Sequence, residues 1–240
     1  MPAPAGPIVL VHGAWGSARA WERLVPLLRE TGREVLAIDL PGHGDDGTDP
    51  GAVGLADYAA RVAEVLEARG PALLVGHSMG GMAISAAAEL APGRARKLVY
   101  VTAFLPRDGQ SLLDLIRQQQ AAGVRDAVRP GPVPGTTVLD ADRAGEALFQ
   151  DATREQQQAM AAGFCAQPNR AQTDPVRLSD ARFGAHPRAY VFCENDRTIT
   201  PALQRRMVRA SPCEQTFSLD CGHCPQLVRP RELAAIIARL

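Results

Sequence analysis

Between Leu73 and Gly81 the chain reads Leu-Leu-Val-Gly-His-Ser-Met-Gly-Gly: an apolar run, a serine with a glycine two places to either side, and the small-residue start of an alanine-rich stretch. This order predicts a buried strand that turns sharply into a helix with Ser78 at the corner, a nucleophile elbow. Such a corner strains the serine backbone, exposes its hydroxyl, and leaves no room for side chains at the neighbouring positions, which accounts for Gly76 and Gly80. Gly81 then lets the helix pack closely on the sheet. A glycine-rich turn before an ordinary core helix uses the same residue types, so the flanking segments must decide what the serine does.

Those segments repeat one rhythm. Short apolar, β-branched runs at Pro7 to Val11, Val35 to Asp39, Ala72 to Val75 and Leu98 to Thr102 read as buried strands. Between them, Ala20 to Arg29, Leu55 to Arg69 and Met79 to Leu90 carry helical spacing, the first two stopped by Gly32 and by Gly70-Pro71 and the third ending before Pro92. The pattern resumes with Arg188 to Cys193 as strand, Pro201 to Arg209 as helix, Glu214 to Leu219 as strand and Arg231 to Leu240 as a last helix started by Pro230. Strands that are apolar throughout, alternating with helices, indicate an α/β fold: a mostly parallel, doubly wound sheet of about six strands covered on both faces.

From Leu105 to about His186 the composition changes. Gln118, Gln119, Gln120, Gln156, Gln157 and Gln158 accumulate, and Pro130-Gly131-Pro132-Val133-Pro134-Gly135 is expected to forbid regular structure. Thr153-Arg154-Glu155-Gln156 fits a capping box and Ser111 to Gln119 is a second helix candidate. The stretch 105–186 is therefore read as a mostly helical cap inserted into a core formed by 1–104 and 187–240; a crossover lengthened by drift would look similar.

With 240 residues the chain can bury a sizeable core, and 26 basic against 26 acidic residues give no reason to expect nucleic acid as a partner. Met1 to Pro7 has no basic region and Ile8 to Val11 is too short for a secretory or membrane segment, so a cytoplasmic protein without membrane association is expected, as monomer or homodimer. Five cysteines in such a setting are not a disulfide framework. Cys221-Gly222-His223-Cys224 looks like a disulfide-isomerase motif, but nothing around it resembles that family, and a single such pair leaves a zinc site incomplete.

A serine hydroxyl needs a base within hydrogen-bond reach, and the base an orienting acid. Of five histidines, His12 and His77 sit inside strand-end motifs and are expected to brace loops, His43 lies in the Pro-Gly loop, and His186 precedes a proline. His223 follows the last strand and is the favoured general base. Asp196, directly after Tyr190 to Asn195, is the favoured acid, with Glu194 and Asp220 as competitors. The order along the chain would then be Ser78, Asp196, His223. The oxyanion would be met by the N–H of Met79 and by one from the loop His12-Gly13-Ala14-Trp15-Gly16, where Ala14 is the expected donor and Gly13 allows close approach.

Val11-His12-Gly13-Ala14-Trp15, Asp39-Leu40-Pro41-Gly42-His43-Gly44, Gly76-His77-Ser78-Met79-Gly80-Gly81 and the contexts of Asp196 and His223 together resemble the α/β-hydrolase superfamily over nearly the whole chain, least across the insertion. More narrowly, Thr102-Ala103-Phe104-Leu105-Pro106 and Asp196-Arg197-Thr198-Ile199-Thr200-Pro201 resemble the branch holding plant hydroxynitrile lyases, plant methyl-ester hydrolases and bacterial carboxylesterases. The lyases of that branch carry a threonine where this chain has Gly13 and a lysine after the catalytic histidine where it has Cys224, so no cation is present to stabilise departing cyanide. Gly13 and His77 match the esterases. The resemblance thus implies a carboxylesterase that cleaves small, fairly apolar esters through an acyl-enzyme on Ser78, with no cofactor and no metal. The alternatives are lyase or perhydrolase chemistry on the same fold, or a non-catalytic ligand-binding protein. Trp15, Phe104, Leu105, Phe149 and Phe164 are candidates for the pocket lining, each equally able to serve as core. A disulfide between Cys221 and Cys224 would distort the loop carrying His223.

Overall fold

The computed structural model describes residues 6–240. The first five residues, on which part of the leader reading rests, lie outside it. Six strands, β1 (Ile8–Val11), β2 (Val35–Ile38), β3 (Ala72–His77), β4 (Ala95–Val101), β8 (Arg188–Cys193) and β9 (Gln215–Leu219), form one sheet in the order β2-β1-β3-β4-β8-β9. Every pairing in it is parallel. Alternate strand residues feed two separate cores. Val9, Val11 and Leu74 pack with Tyr58 and Val62 of α2 (Leu55–Arg69), Met82 of α3 (Gly80–Leu90) and Met207 of α8 (Pro201–Ala210). Ile8, Leu10, Leu73 and Val75 pack on the other face with Leu28 of α1 (Val25–Arg29) and with Leu233 and Ile237 of α10 (Pro230–Ala238). This is why the strands read as continuously apolar. No helix among the described residues is long and apolar enough to cross a membrane.

One core element departs from the sequence reading. The single helix expected over Ala20 to Arg29 is split into a 3₁₀ turn at Ala18–Trp21 and the short α1, with Pro26 in the first turn of α1. Pro26 has no N–H to give and crowds the preceding turn, so a helix can begin at it but cannot run through it.

Between β4 and β8 the chain makes α4 (Leu112–Ile116), a three-stranded antiparallel sheet of β5 (Val128–Pro130), β6 (Thr136–Leu139) and β7 (Gln167–Pro168), and the helices α5 (Ala141–Leu148), α6 (Arg154–Ala161) and α7 (Arg170–Thr173). Thr153 caps α6 as its capping box predicts, and the helix candidate Ser111 to Gln119 is the shorter α4, capped by Ser111. The sequence reading does not anticipate the small sheet, but of Pro130 to Gly135, expected to exclude regular structure, only Pro130 lies in a strand. That stretch is the end of one strand and the tip of a hairpin, where Gly135 takes φ 81° and the Gly131 N–H donates back to Thr136 O at 3.0 Å. Proline is tolerated there because β5 is an edge strand.

Candidate active site

The carboxyl ends of β1, β3, β8 and β9 open on the same edge of the parallel sheet, where open α/β sheets bind ligands. At the end of β3 Ser78 adopts φ 52°, a conformation that L-residues occupy at a cost on the order of 1–3 kcal/mol. The corner is too tight for side chains at its glycines. A Cβ on Gly76 would lie 2.7 Å from Gly80 O, and one on Gly80 would lie 2.6 Å from Val11 O. Gly81 faces the carbonyl oxygen of Phe104 at still closer range, so α3 sits directly against the chain leaving β4.

Two side chains from distant parts of the chain meet the Ser78 hydroxyl. His223, in the loop after β9, places Nε2 at 3.0 Å from Ser78 Oγ, and its Nδ1 lies 2.7 Å from Asp196 Oδ2 in the loop after β8. All three groups are buried. A carboxylate only accepts, so Nδ1–H donates to Asp196, Nε2 carries the lone pair, and the Ser78 hydroxyl donates to it. Asp196 is held by further donors: Thr198 N–H at 2.7 Å and Ile199 N–H at 2.9 Å on Oδ1, and the Thr102 hydroxyl on Oδ2. The competitors Glu194 and Asp220 point elsewhere. Glu194 pairs with Arg205 at 2.7 Å and Asp220 accepts from Asn195 Nδ2 at 2.8 Å.

The remaining histidines fix loops, as their positions suggest. His77 Nε2–H donates to the backbone carbonyl of His223 at 2.8 Å, tying the elbow to the loop beyond β9. Burial, with a smaller contribution from neighbouring His223, lowers its pKa to about 3, so it is neutral. His12 donates through Nδ1 to Gly13 O at 2.8 Å and accepts the Leu40 N–H at 3.1 Å, and burial lowers its pKa to about 4. His43 donates through Nδ1 to Gly16 O at 2.8 Å and receives the Tyr58 hydroxyl at 2.7 Å, with a pKa lowered to about 3, chiefly by burial. His186 donates to Ala95 O at 2.9 Å, remote from Ser78 in the fold.

Ser78 and His223 open into a cavity of about 580 Å³ that Ala14, Met79, Gly13, Trp15 and Phe104 help to line. Among the described residues neither the Ala14 nor the Met79 N–H donates to a protein acceptor. The rest of the wall is mostly apolar and comes largely from the insertion, including Leu112, Ile116, Phe149 and Phe164, with Arg117, Gln119, Arg125 and Gln172 as polar members. Leu105 is the exception among the pocket candidates: it belongs to the core, with its N–H 3.4 Å from Met207 Sδ. No group of three or more His, Cys, Asp or Glu side chains among the described residues is gathered as a metal site.

Several side chains at the site carry no signal in the sequence. Thr102 stands at the end of β4 with φ 35° and reaches Asp196. From the insertion, Gln119 donates to Thr198 O at 2.7 Å and accepts from Thr200 N–H at 3.0 Å, Gln150 donates to Asn195 O at 2.6 Å, and Asp151 accepts from Gly222 N–H at 2.6 Å. The glutamine-rich composition is the only trace of this, and it does not say which glutamines reach the core. All five cysteines are free, and the Cys221 thiol faces Cys193 on β8 at 3.7 Å.

The alpha/beta hydrolase family matches residues 8–236 of the chain. Putative methylesterase 11, a chloroplastic protein of Arabidopsis thaliana, is 30% identical over 247 residues, covering 97% of this chain. The chain spans 55–63% of the length of this and two related chloroplastic methylesterases. A pyrethroid hydrolase of Sphingobium wenxiniae is 29% identical over 96% of this chain and 86% of its own. The crystal structure of a pyrethroid hydrolase from Sphingobium faniae superposes with a TM-score of 0.87 at 29% identity, covering 98% of this chain and 96% of that one. A family match over almost the entire chain, a six-stranded parallel sheet and close agreement with a solved relative settle the assignment: the chain belongs to the alpha/beta hydrolase family.

Proposed function

We propose that the protein is a serine carboxylesterase that cleaves small, fairly apolar carboxylic esters through an acyl-enzyme on Ser78. The observation that carries this reading is the bonded series Ser78, His223, Asp196 at the floor of an apolar cavity of about 580 Å³, a size ordinary for a small-molecule site. Relatives described as methylesterases and as a pyrethroid hydrolase support it.

In the proposed cycle His223 Nε2 takes the hydroxyl proton as Ser78 Oγ attacks the ester carbon, while Asp196 stabilises the imidazolium. The carbonyl oxygen gains charge and is received by the N–H groups of Ala14 and Met79. His223 then passes the proton to the departing alkoxide, leaving the acyl group on Ser78. Water, deprotonated by the same nitrogen, attacks the acyl carbon and releases the acid with the serine restored. The insertion 105–186 acts as the cap whose apolar wall selects the acyl and alcohol groups. The residue after His223 is Cys224, so no ammonium is placed to accept a leaving cyanide.

The test is hydrolysis of aryl esters of increasing acyl length by the purified protein, alongside labelling by a fluorophosphonate. Ser78→Ala is expected to lose nearly all turnover and all labelling. Undiminished turnover in Ser78→Ala refutes the nucleophile. Mandelonitrile cleavage faster than ester hydrolysis replaces the esterase reading with lyase chemistry, and wild-type protein inert to the probe replaces it with a ligand-binding role.

A further inference from the structure

The loop Gly13 to Gly16 has to hold one amide free and aimed while everything around it is tied down. Trp15 sits in the left-handed region at φ 56°, next to Ala14, and Trp15 is large, so this conformation persists only if outside contacts impose it. Those contacts come mainly from the insertion. The Trp15 N–H donates to Gln167 Oε1 at 3.1 Å, the Trp15 carbonyl accepts from Cys165 N–H at 2.7 Å, and the Trp15 indole N–H donates to Thr137 Oγ1 at 3.2 Å.

Gln167 is fully buried, and its amide is fully committed. Its Nε2 donates to the Tyr58 hydroxyl oxygen at 3.2 Å and to Pro168 O at 3.0 Å, leaving Oε1 for Trp15. Tyr58 in turn donates to His43 Nε2, and His43 Nδ1–H donates to Gly16 O. The series therefore leaves the loop at Trp15 and returns to it at the next residue, Gly16, passing through the insertion, α2 and the loop after β2. Each hydrogen in it has a single consistent direction. The Ala14 N–H lies inside this loop and is not used by it.

We infer that Gln167 is a positioning residue for the reaction: by fixing Trp15 in its left-handed conformation it aims the Ala14 N–H at the oxyanion, so that part of the transition-state site is set by the insertion rather than by the core. The inference rests on the proposed esterase reading and names a residue that acts through the loop without touching substrate.

The experiment compares wild type, Gln167→Met, Tyr58→Phe and Ser78→Ala on one aryl ester, and measures inhibition by a trifluoromethyl ketone, whose carbonyl carbon, in the unhydrated keto form, adds Ser78 Oγ as the proton passes to His223 and places an oxyanion where the ester's would form. Gln167→Met keeps the length of the side chain and removes both hydrogen-bonding atoms. It is expected to lower kcat about 10- to 100-fold with KM changed less than about threefold, below the 10²–10³ of losing a donor outright. The inhibition constant for the ketone should rise by a factor similar to the fall in kcat, whereas binding of the product acid, which develops no oxyanion, should stay within about threefold. Tyr58→Phe leaves the packing intact and cuts the series one link away, so it should show the same pattern, smaller, and it decides the matter if Gln167→Met does not fold. Folded variants with wild-type kcat, or a loss that falls equally on the ketone and the product acid, overturn the inference while leaving the esterase reading standing. A wild type with no turnover and no reaction at Ser78 overturns both.

Discussion

Replacing Asp196 with asparagine exchanges one oxygen for an NH₂ group, and the structure fixes what must follow. Four donors converge on the carboxylate: two backbone N–H groups on Oδ1, and the Thr102 hydroxyl and His223 Nδ1–H on Oδ2. An amide has one oxygen. The N–H groups of Thr198 and Ile199 cannot turn away, so the oxygen stays with them and the NH₂ faces Thr102 and His223. Thr102 can rotate its hydroxyl to accept. His223 can meet the NH₂ only by presenting a lone pair at Nδ1, which moves its proton to Nε2. That nitrogen then donates to Ser78 instead of receiving from it, and the serine has lost its base. A tautomer error of this kind costs about 10⁴ in kcat, or about 5.4 kcal/mol at 1.36 kcal/mol per decade. Folding should suffer far less, on the order of 1 kcal/mol, because both backbone bonds persist and a charge-assisted bond becomes a neutral one. Steady-state hydrolysis of an aryl ester together with thermal melts separates the two effects. An Asp196→Asn enzyme that melts like wild type and keeps kcat within about tenfold would refute the argument that Asp196 sets the proton position on His223.

Three further outcomes follow from contacts already described. His12, His43 and His77 have pKa values lowered by burial to about 4, 3 and 3, so the unfolded chain binds protons near pH 6.5 that the folded chain refuses. Their contribution is present above pH 6.5 and is lost as pH falls, by about 4 kcal/mol for the three together between pH 7.5 and 5.5; urea melts giving equal stability at both would contradict it. Gly80→Ala puts a methyl carbon 2.6 Å from Val11 O and 2.8 Å from His12 O, both backbone, and should cost at least about 1–3 kcal/mol with a fall in ester turnover; an unchanged melt would show the elbow to be looser than drawn. Since all five cysteines are free, and the hydrogen bond with Cys221 and then burial push the Cys193 thiol well up while burial does so for Cys224, ester turnover should be the same with and without a thiol reductant. A rise in rate on adding reductant would show that a disulfide does form beside His223.

The sequence was legible wherever one physical rule governed a stretch. Helix α2 and strand β8 have their expected bounds, because a long amphipathic period and a continuous apolar run are strong signals. Ser78, Asp196 and His223 were readable as residues just beyond strand ends, and these are the side chains that meet. The insertion was not readable in the same way. Strands of two to four residues, β5 to β7, are too short to show a period, and they form because the hairpin closes and the loop Gly13 to Gly16 lies alongside. Thr102, Gln119, Gln150, Asp151 and Gln167 owe their places to tertiary approach, and a lone polar residue in a loop looks the same whether it faces water or a carbonyl. The contact of Cys221 with Cys193 is equally silent in the sequence, because it is the parallel register of β8 and β9 that brings the two thiols together.

Gln119, Gln150 and Asp151 bind the backbone on either side of Asp196 and just before His223 from outside the sheet. Exchange of whole lids between homologous enzymes is thereby constrained. A foreign insertion lacking these three anchors would arrive with a new wall and also slacken the loops that carry Asp196 and His223. New specificities in this scaffold are reached more directly by point changes at wall positions such as Leu112, Ile116 and Phe164, which leave the anchors in place.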